Sequence, residues 1–473
     1  MMAELSIGGA SGAPAWEDRL DRTFEAMVSN SRCRIPGLVA IARRGDHRYH
    51  KAFGYSDLSS GKPMELDAQF RVFSMTKVLA ATIALRLRDE DALNLDDPVS
   101  AYIPTFDRTW RVLCEASEPS GETGSVDYAS FLTGKNHTLD YSAFRSDKPM
   151  TLTHCLAECS GIGYDMWTDF DLLFGLGLGH RYGAAQGLRR AEGAAGYSSS
   201  SIIGQNLSLA EYCDAIAEAG VLVDEPGSFS YGLGALVAGR VCEVAYARLR
   251  GHELGFADIC DELLFRPLEM SSAAFFLDDG DERAERVPVL YGGVLRDSSD
   301  PSEGCDVRPI EQCLPGPVTV GTNHCSGARL CESGDTGALM TAADYAKFYD
   351  MILRDGRSES GERILSPESV RELTHGTVEG VVRQNALAAA LQVDGSPESA
   401  GQTFTLGWAS RPESSQHAHC NFWSGYANTH GRLYPDQDEY VAVFPQFMVS
   451  TTGGFVHGSE TVSGALVDAW EAR

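Results

Sequence analysis

The sequence predicts a mixed α/β (α+β) fold in which both chain ends share one sheet and the middle forms a separate, mainly helical region. Residues 36–57 near the start and 403–448 near the end have the apolar spacing of strands. Between them, apolar residues recur mostly with helical spacing. Strands and helices that are separated along a chain are typical of layered α+β folds.

The order of elements also predicts the domains. We expect a sheet domain built from residues 16–68 and 336–473, and an inserted, mainly helical domain at residues 69–335. The chain has 473 residues. At ~150 residues per domain, this length suits about three domains or one large fold with an insertion.

The N-terminal part is predicted to contain a helix, two strands and a second helix. Trp16–Ser29 has an amphipathic pattern, and Pro36–Asp57 contains two strands joined by a turn at Gly45-Asp46. Met75–Leu87 is apolar on nearly every face. This pattern predicts a helix that is buried on all sides.

The rest of the chain alternates between helical patterns, polar stretches and the C-terminal strands. Helices are predicted at residues 209–220, 232–250, 342–355 and 460–470. The helix at 232–250 follows a Pro-Gly turn and is expected to start at Ser230–Tyr231. Thr341 is the expected N-cap of the helix at 342–355. Residues 117–149 and 175–204 are polar and are expected to be surface excursions.

The composition excludes some classes of function. The chain has 39 Lys and Arg against 66 Asp and Glu, which gives a net charge of −27. A surface this acidic repels nucleic acid, so we expect no nucleic-acid partner. The start of the sequence lacks the pattern of a secretory signal, and no stretch approaches the ~20 apolar residues of a membrane helix. We therefore expect a cytoplasmic protein without membrane insertion.

The 12 cysteines are scattered and contain no Cys-x-x-Cys pair. A disulfide framework is typical of short secreted chains, so buried free thiols are the better interpretation here. His417, His419 and Cys420 are residue types that suit zinc. We interpret them as a polar lead-in to a core strand, and expect neither a metal nor a cofactor.

The informative motif is Ser-x-x-Lys at Ser74–Lys77, which opens the apolar helix. At this spacing the two side chains lie on one face of a helix. A serine hydroxyl needs a proton acceptor to become a nucleophile, and a lysine can serve if burial lowers its pKa. A second match at Ser59–Lys62 lies in a turn-rich stretch, so the spacing alone is not specific. The alternative for Ser74 is an N-cap serine beside an incidental lysine, but a lysine in a buried helix rarely lacks a partner or a function.

Colinear segments of the chain resemble the serine β-lactamase-like family. This group includes class C β-lactamases, D-alanyl-D-alanine peptidases, class VIII esterases and fungal polyketide transesterases. The resemblance is carried by residues 35–104, 151–162, 225–244, 333–356 and 422–446. It implies the β-lactamase/transpeptidase-like fold, which is an antiparallel sheet flanked by helices with an inserted helical domain, and a catalytic cleft between the two.

The resemblance also implies catalytic roles for three residues. Ser74 matches the serine that is acylated, and Lys77 matches the lysine of the same motif. Tyr231, in Tyr-Gly-Leu, matches the tyrosine of the second motif, where a phenol held near the lysine relays a proton to the leaving group. The alternative for Tyr231 is a core tyrosine after a Pro-Gly turn.

The third motif of the family falls at Trp423, Ser424 and Gly425, which would contact the substrate. The backbone N–H of Tyr426 would pair with that of Ser74 as an oxyanion hole. The alternative for Trp423 is simple packing in the core.

The sequence departs from the β-lactamase and peptidase pattern at several positions. Those enzymes commonly have Lys-Thr-Gly at the third motif, and Trp423 replaces that cation here. Leu233 stands where class C enzymes have asparagine, and Glu158-Cys159 stands in a loop that usually carries His-Thr. Tyr-x-Leu and Trp-x-Gly resemble the esterase and transesterase branch. An aromatic wall also suits an uncharged acyl group better than a peptide carboxylate.

We therefore predict a serine hydrolase or acyltransferase that acts on a small-molecule ester, thioester or amide through an acyl-enzyme on Ser74. The first alternative is a penicillin-recognising β-lactamase or D-alanyl-D-alanine peptidase. The second is a non-catalytic scaffold with a vestigial site. The sequence contains no signal for an oligomeric state.

Overall fold

A computed structural model describes most of the chain. The described residues are 14–31, 34–107, 110–115, 122–127, 138–163, 208–222, 225–229, 231–278, 280–296, 304–312, 332–376, 403–415, 417–450 and 458–472. The polar stretch predicted at 175–204 lies outside them.

The described helices and strands alternate along the chain. The α-helices are α1 (Ala15–Ser29), α2 (Lys77–Asp89), α3 (Leu152–Leu156), α4 (Leu209–Ala219), α5 (Gly234–Arg250), α6 (Phe256–Cys260), α7 (Ala342–Leu353), α8 (Pro367–His375) and α9 (Gly458–Glu471). The strands are β1 (Gly37–Arg44), β2 (His47–Asp57), β3 (Lys62–Pro63), β4 (Phe70–Arg71), β5 (Trp110–Glu115), β6 (Glu122–Asp127), β7 (Thr138–Ser146), β8 (Val221–Leu222), β9 (Tyr291–Leu295), β10 (Cys305–Pro309), β11 (Leu339–Met340), β12 (Thr403–Phe404), β13 (Ala409–Arg411), β14 (Cys420–Ser424), β15 (His430–Tyr434), β16 (Glu439–Pro445) and β17 (Phe447–Ser450).

The main sheet joins the two ends of the chain. Its order is β12-β13-β14-β15-β16-β1-β2-β3, and all its neighbouring strands are antiparallel. The seam between the ends is the β1–β16 pair, whose register runs from Leu38 opposite Pro445 to Arg44 opposite Glu439. The predicted sheet and its antiparallel order are therefore present.

Helices cover both faces of this sheet. Val39 and Ile41 of β1 pack into the cluster that contains α2 and α7, while Leu38 and Ala40 pack into the cluster that contains α1 and α9. Successive side chains of a strand point to opposite faces, so one strand supplies both cores. This explains why β1 reads as an almost continuous apolar run.

Helix α2 is buried on all sides, as its apolar pattern predicts. Val78, Leu79 and Ile83 are each at most 2% exposed. The capping prediction is also confirmed, because the hydroxyl of Thr341 accepts a hydrogen bond from the backbone N–H of Asp344 at 3.2 Å. Helix α5 begins at Gly234, a few residues after the predicted start.

The stretch at residues 117–149, expected to be a polar surface excursion, contains two strands that the sequence did not predict. Strands β6 and β7 lie in it and pair with β5 and β8 in a second sheet of order β6-β7-β5-β8. The strands are rich in Ser, Thr, Asp and Glu. Polar strands lack the apolar alternation by which a half-buried strand is recognised, which is why the pattern did not indicate them.

The cysteine prediction holds for part of the chain. Cys155, Cys159, Cys213, Cys242, Cys260 and Cys420 are free and buried. Cys305, however, is disulfide-bonded, which differs from the expectation of free thiols and is unusual in a reducing compartment. Among the described helices, none combines the length and the apolar character needed to cross a membrane.

Candidate active site

Ser74 lies in a tight turn immediately before the buried helix. Residues Phe73–Thr76 form a 3₁₀ helix, and α2 begins at Lys77. Side chains three residues apart eclipse each other in a 3₁₀ helix, so this turn stacks Ser74 and Lys77 on one side. Ser74 is only 7% exposed.

The residue before Ser74 has an unfavourable backbone conformation. Phe73 has φ +47°, in the left-handed region that bulky residues rarely adopt. Its ring is fully buried against Leu290, Ile310 and Met448. Packing thus holds a conformation that costs about 1–3 kcal/mol, and such strain is typical of functional sites.

Tyr231 is brought to Ser74 by a close contact between two backbones. Gly232 bridges to Gly163, and a Cβ at Gly232 would lie 1.9 Å from the carbonyl oxygen of Ile162. Only glycine allows this approach. Burial raises the pKa of the Tyr231 phenol, while the Lys77 ammonium and the interaction of the phenol with Ser74 oppose the shift.

Lys77 is completely buried at the centre of the site. Its Nζ lies 3.6 Å from Oε1 of Glu158 and 3.6 Å from Oδ2 of Asp335. The ammonium also donates to the carbonyl oxygen of Gly232 at 3.3 Å, and it lies 4.9 Å from the centre of the Tyr231 ring. Both carboxylate side chains are as buried as the lysine.

These neighbours change the protonation expected for Lys77. Burial disfavours the ammonium, but the charges of Glu158, Tyr231 and Asp335 outweigh it and raise the pKa of Lys77 to about 12. Lys77 therefore does not meet the condition for acting as the base, which was a pKa lowered by burial. Desolvation does act in that direction, but two carboxylates share the same buried space and outweigh it.

Glu158 is the first of the two carboxylates that face Lys77. Its Oε2 accepts a hydrogen bond from the backbone N–H of Gly232 at 2.8 Å, and its own φ is +53°. Burial raises the pKa of Glu158 to about 7, although Lys77 and the Gly232 N–H favour the ionised form. The charge of Asp335 also raises the pKa of Glu158. The charge of Glu158 in turn raises the pKa values of Tyr231, Cys155 and Cys159.

Asp335 reaches the cluster from the segment before β11. Its Oδ1 accepts hydrogen bonds from the hydroxyls of Ser333 and, at 3.4 Å, Thr336. Its Oδ2 faces Lys77. The local hydrogen bonds fix one oxygen and direct the other toward the ammonium.

The third motif forms an aromatic wall beside Tyr231. The indole N–H of Trp423 donates to the Tyr231 hydroxyl oxygen at 3.3 Å, and the two rings are 5.2 Å apart. Phe404 packs edge-on against Trp423 with a centroid distance of 4.9 Å, and Phe229 packs on Phe404 at 5.7 Å. Trp423 therefore packs in an aromatic cluster and also contacts the phenol of Tyr231.

Ser424 is oriented by a chain of buried hydrogen bonds. Nε of Arg432 donates to Nε2 of His430 at 3.2 Å, and Nδ1 of His430 lies 2.7 Å from Oγ of Ser424. Burial and the Arg432 charge hold the pKa of His430 well below its usual range. Because Nε2 accepts, the proton of the neutral ring lies on Nδ1 and is donated to Ser424. The Ser424 hydroxyl keeps its own proton for another acceptor.

The turn after β14 lies against the residues next to Ser74. Thr429 donates from Oγ1 to the carbonyl oxygen of Val72 at 3.1 Å, and a Cβ at Gly425 would lie 2.3 Å from that same oxygen. The ring of Tyr426 packs edge-on against Phe73 with centroids 6.3 Å apart. This places the backbone around Tyr426 beside the turn that carries Ser74.

The structure thus brings together Ser74, Lys77, Tyr231 and Trp423, with Ser424, Gly425 and Tyr426 beside them. Sequence reasoning missed the roles of Glu158 and Asp335. The available signal for Glu158 was one acidic residue inside the otherwise apolar or small stretch from Leu156 to Ser160. Asp335 had no such signal, because its neighbours are small and polar.

The three residues considered for zinc have separate partners. His417 pairs with Glu471 at 2.7 Å, and His419 pairs with Asp436 at 3.1 Å. The thiol of Cys420 contacts Arg432 at 3.6 Å. They do not form one site.

We predict that Lys77→Met destabilises the protein by about 3–5 kcal/mol at pH 8, because it leaves two buried carboxylates without a counter-charge. Methionine keeps the length of the side chain, so the change tests charge more than packing. Urea unfolding followed by circular dichroism measures the effect. The control is Lys148→Met, which removes an exposed ion pair with Glu225 and should cost less than about 1 kcal/mol. Equal stability of the two variants would contradict the ion cluster.

The chain is similar in sequence to known proteins. A family model described as Beta-lactamase matches residues 20–458. Esterase EstB from Burkholderia gladioli is 29% identical over 336 residues, which cover 71% of this chain and 69% of that esterase.

Two solved structures share the fold. One is EstCE1, described as a hydrolase with promiscuous acyltransferase activity, with a TM-score of 0.62 at 19% identity, covering 96% of this chain and 99% of that one. The other is unliganded simvastatin synthase (LovD) from Aspergillus terreus, with a TM-score of 0.66 at 18% identity, covering 98% of this chain and all of that one (100%). The predicted β-lactamase/transpeptidase-like fold is confirmed. The chain belongs to the Beta-lactamase family, whose relatives include serine hydrolases and acyltransferases.

Proposed function

We propose that this protein is a serine esterase or acyltransferase that cleaves or transfers an ester or thioester acyl group through an acyl-enzyme on Ser74. The observation that carries the proposal is the position of the Tyr231 phenol, which interacts with Ser74 and lies beside the buried Lys77 ammonium. A hydroxyl nucleophile, a proton relay and a fixed cation are the parts that such chemistry needs.

In the first step, Oγ of Ser74 attacks the carbonyl carbon, and two proton transfers are coupled to the attack. The phenol proton of Tyr231 moves to the departing alcohol or thiol, which leaves partial negative charge on the phenol oxygen, and that oxygen takes the proton of Ser74, so the phenol is unchanged after the step. Water or an acceptor alcohol then resolves the acyl-enzyme by the same relay in reverse.

Lys77 acts in this proposal as a fixed positive charge and not as the base. Its high pKa keeps the ammonium protonated, and its position near the Tyr231 ring favours the negative charge that develops on the phenol oxygen. The indole N–H of Trp423 donates to that same oxygen and adds to the effect. Such donors, fixed before the reaction, are the usual source of electrostatic catalysis.

The backbone N–H groups of Ser74 and Tyr426 are proposed to stabilise the oxyanion. The support is the contact of the Gly425–Thr429 turn with Val72 and Phe73, which brings both segments side by side. The hydroxyl of Ser424 is proposed to donate its proton to the substrate, because its oxygen already accepts a hydrogen bond from Nδ1–H of His430.

The substrate is proposed to be uncharged near the acyl group. Trp423, Phe404 and Phe229 line up as an aromatic wall, and the third motif offers no lysine to a carboxylate. A carboxylate of the penicillin or D-alanine type would lose one charge-assisted contact here. The wall therefore favours an ester or thioester over a penicillin-like substrate.

Ser74→Ala is expected to reduce hydrolysis of short-chain p-nitrophenyl esters by at least about a thousandfold, because no other hydroxyl occupies its place. Ser59→Ala is the matched control, since Ser59 belongs to the second Ser-x-x-Lys match and its hydroxyl binds Asp57 on the surface. Intact-mass analysis should detect an acyl adduct in the control but not in Ser74→Ala. Turnover that persists in Ser74→Ala would refute the nucleophile.

Tyr231→Phe is expected to lower kcat by about 10²–10⁴ with little change in KM, because it removes the proton relay and keeps the ring on Trp423. Steady-state kinetics with the same esters measures both constants. Tyr246→Phe removes a hydroxyl that binds Glu262 in another part of the fold and should leave kcat unchanged. An unchanged kcat in Tyr231→Phe would exclude the phenol from proton transfer.

The pH dependence of kcat/KM is expected to follow Glu158. With a pKa of about 7, this group is ionised above pH 7 and then anchors Lys77 and Gly232. The value of kcat/KM should therefore rise as the pH increases through 7. Glu158→Gln should remove that rise, and its kcat/KM at every pH should resemble that of the wild type at low pH. Glu243→Gln replaces another buried glutamate, bound to Arg240, and should keep the rise. A rise that persists in Glu158→Gln would assign it to a different group.

A further inference from the structure

A second cluster of ionisable side chains lies at the far end of strand β14 from Trp423. His375 ends helix α8, His419 directly precedes β14, and Asp436 lies in the 3₁₀ turn Pro435–Gln437 after β15. One potential ligand atom from each of the three residues lies within 4.8 Å of the others. The site is four residues, or roughly 13 Å, along the strand from Trp423.

The hydrogen bonds of His375 fix which ring nitrogen carries its proton. The hydroxyl of Thr374 donates to the carbonyl oxygen of Val370 at 2.7 Å, so its oxygen must accept from Nδ1 of His375, which is 2.8 Å away. In the neutral ring the lone pair is then on Nε2. That lone pair faces Oδ1 of Asp436 at 3.2 Å, and a cation between the two atoms would make the contact favourable.

His419 approaches the same carboxylate from the other side. Its Nδ1 is 3.1 Å from Oδ2 of Asp436, while its Nε2 contacts the hydroxyl of Ser410 at 3.2 Å. The two imidazole rings touch, with centroids 4.4 Å apart. Each histidine thus presents one nitrogen to the carboxylate and uses the other for a hydroxyl, as metal-binding histidines commonly do.

We propose that His375, His419 and Asp436 bind a zinc ion. Zinc accepts imidazole nitrogen and carboxylate oxygen at about 2.0–2.2 Å in a tetrahedron, which separates neighbouring ligand atoms by about 3.3 Å. The nitrogen–oxygen separations, 3.2 Å from His375 to Oδ1 and 3.1 Å from His419 to Oδ2 of Asp436, are each close to this value. Because the two histidines face different oxygens, the carboxylate would bind the ion through both oxygens or turn to present one of them. The side chains of His375 and Asp436 are 46% and 51% exposed, so an ion can enter and water can be the fourth ligand.

The proposed ion would tie the end of α8 to the strand that carries Trp423 and to the turn after β15. Strands β14 and β15 already pair in the main sheet, and Nδ2 of Asn421 donates to the carbonyl oxygen of Thr374, so the ion would add a further link between α8 and the sheet. Its role is then structural support of this end of the sheet. The ion takes no part in the acyl transfer, so the proposal is independent of the proposed function.

Calorimetric titration of the full chain with zinc chloride tests the proposal. We expect binding of one ion with Kd below about 10 µM. At a hundredfold excess over Kd, the unfolding midpoint should rise by about 2–5 °C. His375→Ala and Asp436→Asn should each weaken binding at least about tenfold. His47→Ala is the control, because His47 is an exposed histidine at the start of β2.

The proposal is overturned if zinc does not bind, or if either variant binds zinc as tightly as the wild type and the control. Cobalt(II) titration of the wild type gives a second measurement that does not depend on how the variants fold. Visible bands of tetrahedral cobalt without a thiolate charge-transfer band support ligation by nitrogen and oxygen. A thiolate band, or no visible band, overturns it.

Discussion

The site depends on one buried ammonium held between two buried carboxylates. Lys77 comes from α2, Glu158 follows α3, and Asp335 precedes β11, so the three charges come from three separate parts of the chain. Each charge is expensive to bury alone, and the cost is offset only when all three meet. The same interaction sets the protonation of Lys77, and this is why the proposed mechanism assigns the proton transfer to Tyr231 and not to the lysine.

Backbone strain occurs where these charges converge. Phe73 precedes Ser74 and Glu158 carries one of the carboxylates, and both have positive φ. Neither residue type favours that conformation. The buried ring of Phe73 and the hydrogen bond from Gly232 to Glu158 hold them in place. Both contacts come from distant parts of the sequence, so the geometry of the site is maintained by the whole fold.

The sequence predicted the elements and the motif residues better than their electrostatics. The buried helix α2, the Thr341 cap and the sheet shared by the chain ends follow from local patterns, and Ser74, Lys77, Tyr231 and Trp423 follow from the family motifs. The pKa of Lys77 did not follow, because it depends on Glu158 and Asp335, whose approach only tertiary structure reveals. The polar strands β6 and β7 were missed because they lack a two-residue apolar period.

The β1–β16 seam has a consequence for biosynthesis. Its two strands are about four hundred residues apart in the sequence, so the centre of the sheet can close only after nearly the whole polypeptide has left the ribosome. Until then β1 has an unpaired edge with an apolar run, the kind of surface that promotes association between nascent chains. A chain that terminates before Glu439 keeps that edge unpaired permanently. Such a fragment is expected to be bound by chaperones and degraded by proteases.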